Sequence, residues 1–384
     1  MSASSPLPTQ ATLEPRLKEF EQLAVPCIEW VDTINSLARV IVDVDSARAQ
    51  QLCKEALRLS GELKYVLGAA RSLTLTSWLN LVQGRPDLSL TRAVHAQTLA
   101  RTIDDAQQEG HALYVEAMVH DQVGNFEEAQ QSRQKMISIA RNLGDRSLEA
   151  NCLTTMGMQH SRFGDHAKAL SSYLAALRIY RELKDEREVM ALNNAASALT
   201  RIGDLSLALD FAGRALENCN TDNVRVHTQI LHTMGGVHAA QGEVDVALSY
   251  HQRAIDLNAN ASERGQVIDQ EFEITVRLDV ATLQRTQGLL AECIATLEHA
   301  LTVAQAIDAK PLLVELHDQL SKVYRETDQV ALALTQAEQR EVTRTKLQKV
   351  EAEQSERVMK VMSMLRTVRD PLYQQQRLAS MNRA

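Results

Sequence analysis

From about Arg16 onward, apolar residues recur at helical spacing, and the interruptions of that pattern fall at regular places. Residues 28–42 and 46–59 form the first pair of amphipathic segments, with 43–45 as the turn between them. Residues 163–185, FGDHAKALSSYLAALRIYRELKD, show the recurring unit most clearly: Gly164, then Ala169, then Ala176. The same frame returns at Gly203 with Ala208 and Ala215, and at Gly242 with Ala247 and Ala254. Gly124 keeps Ala129 and carries Met136. Gly84 carries Ser89 and keeps Ala96, Gly288 carries Cys293 and keeps Ala300, and Val44 keeps Ala49 and Ala56 without the glycine. A last, decayed copy is expected to turn at Thr327. The steps between turns are 40, 40, 40, 39, 39, 46 and 39 residues.

A small residue also stands seven positions before each turn: Ser77, Ala117, Gly157, Ala196, Gly235 and Ala281. Small side chains at fixed places on both segments let two helices approach closely. Asp105, Asp145, Asp185 and Asp308 mark the second break of each unit and suit a cap or a loop. The period predicts an all-α solenoid of stacked helical hairpins, for which length is no guide to domain number. The expected division is a disordered leader over 1–15, the solenoid over 16–340, an extended helix over 341–370 and a flexible tail over 371–384. The one step of 46 residues places extra chain, LNANASERGQVID, in a longer loop.

Residues 330–370 contain no Gly or Pro, so one helix of about 40 residues can run about 60 Å. Val358, Val361, Leu365, Val368 and Leu372 fall at heptad a and d positions, while Glu351 and Gln354 interrupt the seam upstream. Two readings stay open: a coiled coil that makes a homodimer, or a capping helix whose Met-rich face folds back on the last repeat. Pro371 is expected to end or kink the helix.

Composition narrows the chemistry. Aromatics make up 4%, and Gly and Pro number 15 and 7, which suits helices packed through Ala and Leu. Cys27, Cys53, Cys152, Cys219 and Cys293 are scattered, which points to buried or half-buried reduced thiols, with no disulfide framework and no zinc site. Neither a signal peptide nor a long apolar run is present, so a soluble, cytoplasmic chain without membrane association is expected. The net charge is −8, yet residues 340–384 hold ten Lys/Arg against five Asp/Glu. A solvated helix accounts for that tail better than nucleic-acid binding does, because aromatic platforms are missing beside it. No P-loop, GxGxxG, GxSxG or HExxH motif occurs, so no enzyme, no cofactor and no catalytic residue is predicted. His227, His232 and His238 are not spaced to converge on a metal.

The small-small-small frame resembles tetratricopeptide repeats of the longer, forty-residue kind, and residues 192–208, LNNAASALTRIGDLSLA, are similar to repeats of the kinesin light chain type. HEAT and armadillo repeats share the period, but the Gly turn and paired alanines favour the former. The resemblance covers roughly residues 28–340 and implies a right-handed superhelix of about seven to eight hairpins with a long C-terminal helix. It further implies a protein or peptide partner held in a groove lined by the first helix of each hairpin. Peptide-facing positions ten, six and three before each turn are Thr74, Trp78, Tyr114, Met118, Asp121, Thr154, Met158, Ser161, Asn193, Ser197, Thr200 and His232, flanked by Arg162 and Arg201. Hydroxyl and amide groups there suit a peptide backbone, Trp78, Tyr114 and the methionines suit apolar anchors, and the arginines suit a carboxylate. For single residues the plainer reading stands beside this one: Asn193 bonding a neighbouring turn, Met118 and Met158 in the core, the arginines solvated. Position ten is never Lys, so recognition of a chaperone C-terminus is disfavoured. Repeats followed by a long charged helix also resemble the sensory half of bacterial signalling proteins. The alternative function is thus the input module of an enzyme such as a diguanylate cyclase, with the output domain absent. A nucleic-acid-associated regulator ranks last.

Overall fold

The computed structural model of the chain describes residues 9–42, 45–221, 223–263 and 268–381, with side chains described as far as Leu365. Among the described residues there are seventeen helices and no strand. They are α1 (Gln10–Leu23), α2 (Ile28–Ile41), α3 (Ser46–Glu62), α4 (Val66–Val82), α5 (Pro86–Thr102), α6 (Ala106–Gln122), α7 (Phe126–Leu143), α8 (Arg146–Arg162) and α9 (His166–Leu183). Then come α10 (Glu188–Ile202), α11 (Leu205–Glu217), α12 (Val224–Ala240), α13 (Val244–Glu263), α14 (Gln270–Thr286), α15 (Leu290–Ala306), α16 (Lys310–Glu326) and α17 (Val330–Met381). Consecutive helices pair as antiparallel hairpins, and alternate first helices touch, as α4 does α6 and α10 does α12. The chain forms two compact units, Met1–Cys152 with Glu351–Ala384, and Leu153–Val350.

The repeat frame is the packing frame. Ala49, Ala56, Ala96, Ala129, Ala169, Ala176, Ala208, Ala215, Ala247, Ala254 and Ala300 are fully buried. The small residues opposite are equally constrained. A Cβ on Gly157 would lie 2.5 Å from the Tyr173 ring, and one on Gly235 would lie 2.5 Å from the His251 ring. In the second hairpin, serines replace alanines and bond across the contact: Ser77 Oγ donates to the Ser89 carbonyl (2.7 Å) and Ser89 Oγ to the Ser77 carbonyl (2.8 Å). Buried hydroxyls are tolerated there because both are paired.

The turns that follow α4, α6, α8, α10, α12 and α14 each hold a glycine in the left-handed region, from Gly84 at φ 70° to Gly203 at φ 95°. Glycine meets that need without the strain a Cβ brings. The last hairpin corrects the expected frame. Its left-handed residue is Asp328 (φ 58°), not Thr327. Counted from there, Ser321 sits seven positions before the turn and Ala333 five after it, and Ser321 Oγ donates to the Ala333 carbonyl at 3.0 Å. The second breaks are also left-handed, at Lys64, Asp104, Gly144, Lys184 and Asp308. Asp105 and Asp145 follow such residues and accept the backbone N–H of Gln108 and Leu148. Asp308 is itself the break residue and pairs with Lys310 instead of capping α16.

Three other expectations change. The expected leader is helical from Gln10, and α1 continues through Pro15. An internal proline costs a helix about 3 kcal/mol. Burial of Leu13 and Leu17 against the cluster of Trp30, Ile34 and Leu37 offsets it, and Phe20 stacks on Trp30 at 6.4 Å. Residues 1–8 lie outside the described residues. The extra chain near 260 is not all loop: α13 runs to Glu263 and buries Asn258 and Ala261, while 264–267 lie outside the described residues. Finally, α17 continues past Pro371 to Met381, since one proline removes one helical hydrogen bond without forbidding the next turn. No described helix is long and apolar enough to cross a membrane.

Candidate functional site

The positions ten, six and three before each turn lie on the first helix of each hairpin and form one strip in each unit. In the first unit, Trp78 of α4 and Tyr114 of α6 stack with centroids 6.3 Å apart, and Met118 follows one turn on. Thr74 is tied down locally: its Oγ1 donates to the Ala70 carbonyl and accepts from Gln108 Nε2 at 2.8 Å. Asp121 does not line a groove. It is 8% exposed and ion-paired with buried Arg133, beside the Gln97–Glu116 bond, because an inward-tilted position near the helix end reaches the second helix of its own hairpin.

This first strip is covered by the chain itself. Val358 of α17 is fully buried among Leu81, Leu90, Val94, Val115 and Val119, with Val361, Met362 and Leu365 packed on the same cluster as Trp78, Tyr114 and Met118. Gln354 Nε2 donates to the carbonyl of the turn residue Gly84 at 3.1 Å, and Asn125 Nδ2 approaches Met362 Sδ at 3.5 Å. The described part of the heptad seam, Val358, Val361 and Leu365, therefore packs on residues 78–123 and not on the last repeat. Val368 and Leu372 lie beyond the described side chains. A cleft of about 140 Å³ remains beside Met362 and Leu365, lined by Leu90, Glu116, His120, Glu128 and Lys135 among others.

The strip of the second unit has another character. Met158 is 48% exposed, and Arg162, Ser197 and Arg201 are exposed. Thr154 Oγ1 shares a hydrogen bond with the Tyr180 hydroxyl at 3.2 Å, Ser161 is half-buried, and Thr200 Oγ1 donates to the Ala196 carbonyl. Asn193 is 6% exposed, and its Oδ1 is buried with no hydrogen-bond partner. A buried carbonyl oxygen left unbonded costs about 1–3 kcal/mol. His232 Nε2 meets Asp279 Oδ2 at 2.7 Å, with the His251 and Phe272 rings each 5.2 Å away. Burial works to raise the Asp279 pKa, but the His232 bond and the charges of His232, His251 and Arg201 together hold it below the ordinary value. Burial, then His232, push the His251 pKa down to about 4. The sequence named His232 but not Asp279, nine positions before Gly288, because that position lies outside the three expected registers.

Burial raises the thiol pKa of Cys53 to about 11 and of Cys152 to about 12, so both stay neutral, and all five cysteines are free. Among the described residues, no grouping of three His, Cys, Asp or Glu could hold a metal ion. His238 instead bonds Glu243 and stacks on Tyr250.

Stacked helical hairpins with small residues at their contacts define a helical repeat fold. The family model described as tetratricopeptide repeat matches residues 108–182 and 149–221, so the repeats in that stretch are of this kind. Solved structures extend the fold likeness over most of the chain. A Rap protein complexed with competence and sporulation factor is 15% identical, over 88% of this chain and 99% of that one, with a TM-score of 0.58. The apo quorum sensor NprR from B. thuringiensis is 13% identical, over 86% and 92%, at 0.60. A signal transduction ATPase with a tetratricopeptide repeat sensor from Pyrococcus horikoshii is 11% identical at 0.60, and this chain spans 55% of its length. Among curated proteins, none matches the sequence.

Proposed function

We propose that this chain is a non-enzymatic sensor or adaptor that binds an extended, acidic peptide segment along the second unit's strip. The observation that carries this reading is the buried Asn193 Oδ1 without a partner, on the same helix face as exposed Ser197 and Arg201. A peptide backbone N–H satisfies the amide oxygen, and the guanidinium groups of Arg162 and Arg201 take carboxylates. Thr154 and His232 lie along the same register, and Met158 offers an adaptable apolar contact. The fold-related Rap and NprR structures support a sensor reading, one as a complex with competence and sporulation factor and the other as a quorum sensor.

The test is fluorescence anisotropy with a library of labelled acidic peptides on wild-type protein and on Asn193→Ala and Arg201→Glu. Peptides selected by the wild type should bind at least about tenfold more weakly to each variant, as expected when a buried acceptor or a charge-assisted bond is removed. Equal affinity across the three proteins would remove the strip from the mechanism.

A further inference from the structure

We infer that the α4 and α6 strip of the first unit is a helix-binding groove that the chain keeps filled with its own residues 354–365. A partner helix with the same apolar spacing gains access by displacing that segment. This inference does not rest on the second unit's strip, so either can fail alone.

The occupant defines what the groove recognises. Val358, Val361, Met362 and Leu365 stand at i, i+3, i+4 and i+7, the face by which an amphipathic helix lies in an apolar groove. The receiving surface is the buried set Leu81, Leu90, Val94, Val115 and Val119, and Trp78, Tyr114 and Met118 pack on that same cluster beside the tail. Those three are the positions that the repeat register assigns to ligand contact, so the tail sits where a ligand would. Gln354 fixes the register of the segment by its bond to the Gly84 carbonyl.

The seat is built for exchange more than for permanence. Among the described side chains, contact is confined to one face of little more than three turns, and the helix around it is open: Val350, Met359 and Met364 are 38%, 53% and 56% exposed. Only Val358 is fully buried, and the cleft of about 140 Å³ beside Leu365 is left unfilled. Packed interiors rarely leave such room. A partner with a large aromatic side chain at the position of Leu365 would fill it and outcompete the tail. The cleft wall carries Glu128 and Lys135, which suits a polar rim around that anchor.

The experiment uses the full chain with a protease site inserted at the exposed residues 348–350, cut after folding, and a fluorescein-labelled synthetic peptide of residues 350–368 as the probe. In the nicked protein the tail should remain bound and exchange with the probe. A Leu365→Phe peptide should chase it at about fivefold lower concentration, as a filled cavity predicts. A Val358→Ser, Met362→Ser peptide should need at least about tenfold more. Uncut protein should take up little probe, and uncut Val358→Asp, Met362→Asp protein should take it up readily. A tail that never exchanges would make the contact a fixed part of the fold and overturn the inference. So would a tail that falls away while the probe fails to bind, or equal chasing by the serine peptide. The nicked wild type decides the matter even where the aspartate variant does not fold.

Discussion

The two units present the same register of helix positions and use it in opposite ways. In the first, positions ten and six before the turn carry Trp78, Tyr114 and Met118, and the chain's own α17 lies across them. In the second, the same positions carry Asn193, Ser197 and His232, with Met158 and two arginines open to solvent. The scaffold beneath is held constant by close contacts such as Ser77 on Ser89 and Gly157 on Tyr173. What teaches most is where variation is allowed. Residues that set helix separation are small and buried in both units, whereas residues that face outward differ in polarity and so in occupant. An apolar strip is covered by an apolar helix face, and a polar strip stays open to solvent.

The largest expected effect breaks the scaffold under the open strip. Gly157→Leu places a side chain where even a Cβ meets the Tyr173 ring at 2.5 Å, so α8 and α9 must separate. A loss of about 3 kcal/mol in urea unfolding is expected. Gly213→Ala, with nothing near its Cβ, should instead stabilise α11 by about 0.5–1 kcal/mol.

Next comes the cover. Val358→Asp should cost about 2–3 kcal/mol, because an apolar contact is lost and a carboxylate is brought to an apolar seat. In a Trp30→Phe background, the emission of Trp78 should shift to the red. The matching change on the open strip, Ser197→Asp, should stay within about 0.5 kcal/mol.

Acid sharpens the contrast from another side. His251 has its folded pKa pushed from 6.5 to about 4 by burial and by His232, so the unfolded chain takes up a proton first as pH falls. The stability it contributes is complete above about pH 6.5 and declines between there and pH 4, by roughly 3 kcal/mol in all. Asp279, held low by His232, His251 and Arg201, adds loss in the same direction at the acid end. His251→Phe should flatten the slope in pH-dependent urea melts. Gln354→Ala is the smallest change, with at most about 1 kcal/mol lost with its bond to Gly84.

The fold was legible because helix separation depends on residue size, and size is written in the sequence as Gly, Ala and Ser at fixed intervals. The decayed last repeat was readable one residue out, since Ser321 and Ala333 preserve the frame once Asp328 takes the left-handed turn. The helix start at Pro15 was misjudged because a local penalty was weighed without the burial of Leu13 and Leu17 that opposes it. The heptad of α17 was visible, but its partner was not: an apolar stripe states that it will be covered and says nothing of what covers it. Asp121 and Asp279 exchanged roles for a related reason. Which carboxylate faces Arg133 and which faces His232 is fixed by contacts between helices, not by register along one of them.

Methionine oxidation followed by mass spectrometry tests the contrast between the two strips most directly, because each strip carries a methionine six positions before its turn. Met158, at 48% exposure, should oxidise roughly tenfold faster than Met118, which lies under the tail helix. Val358→Asp should bring Met118 up toward the rate of Met158 and leave Met158 unchanged. Equal rates in the wild-type protein would show the first strip to be as open as the second and contradict the account.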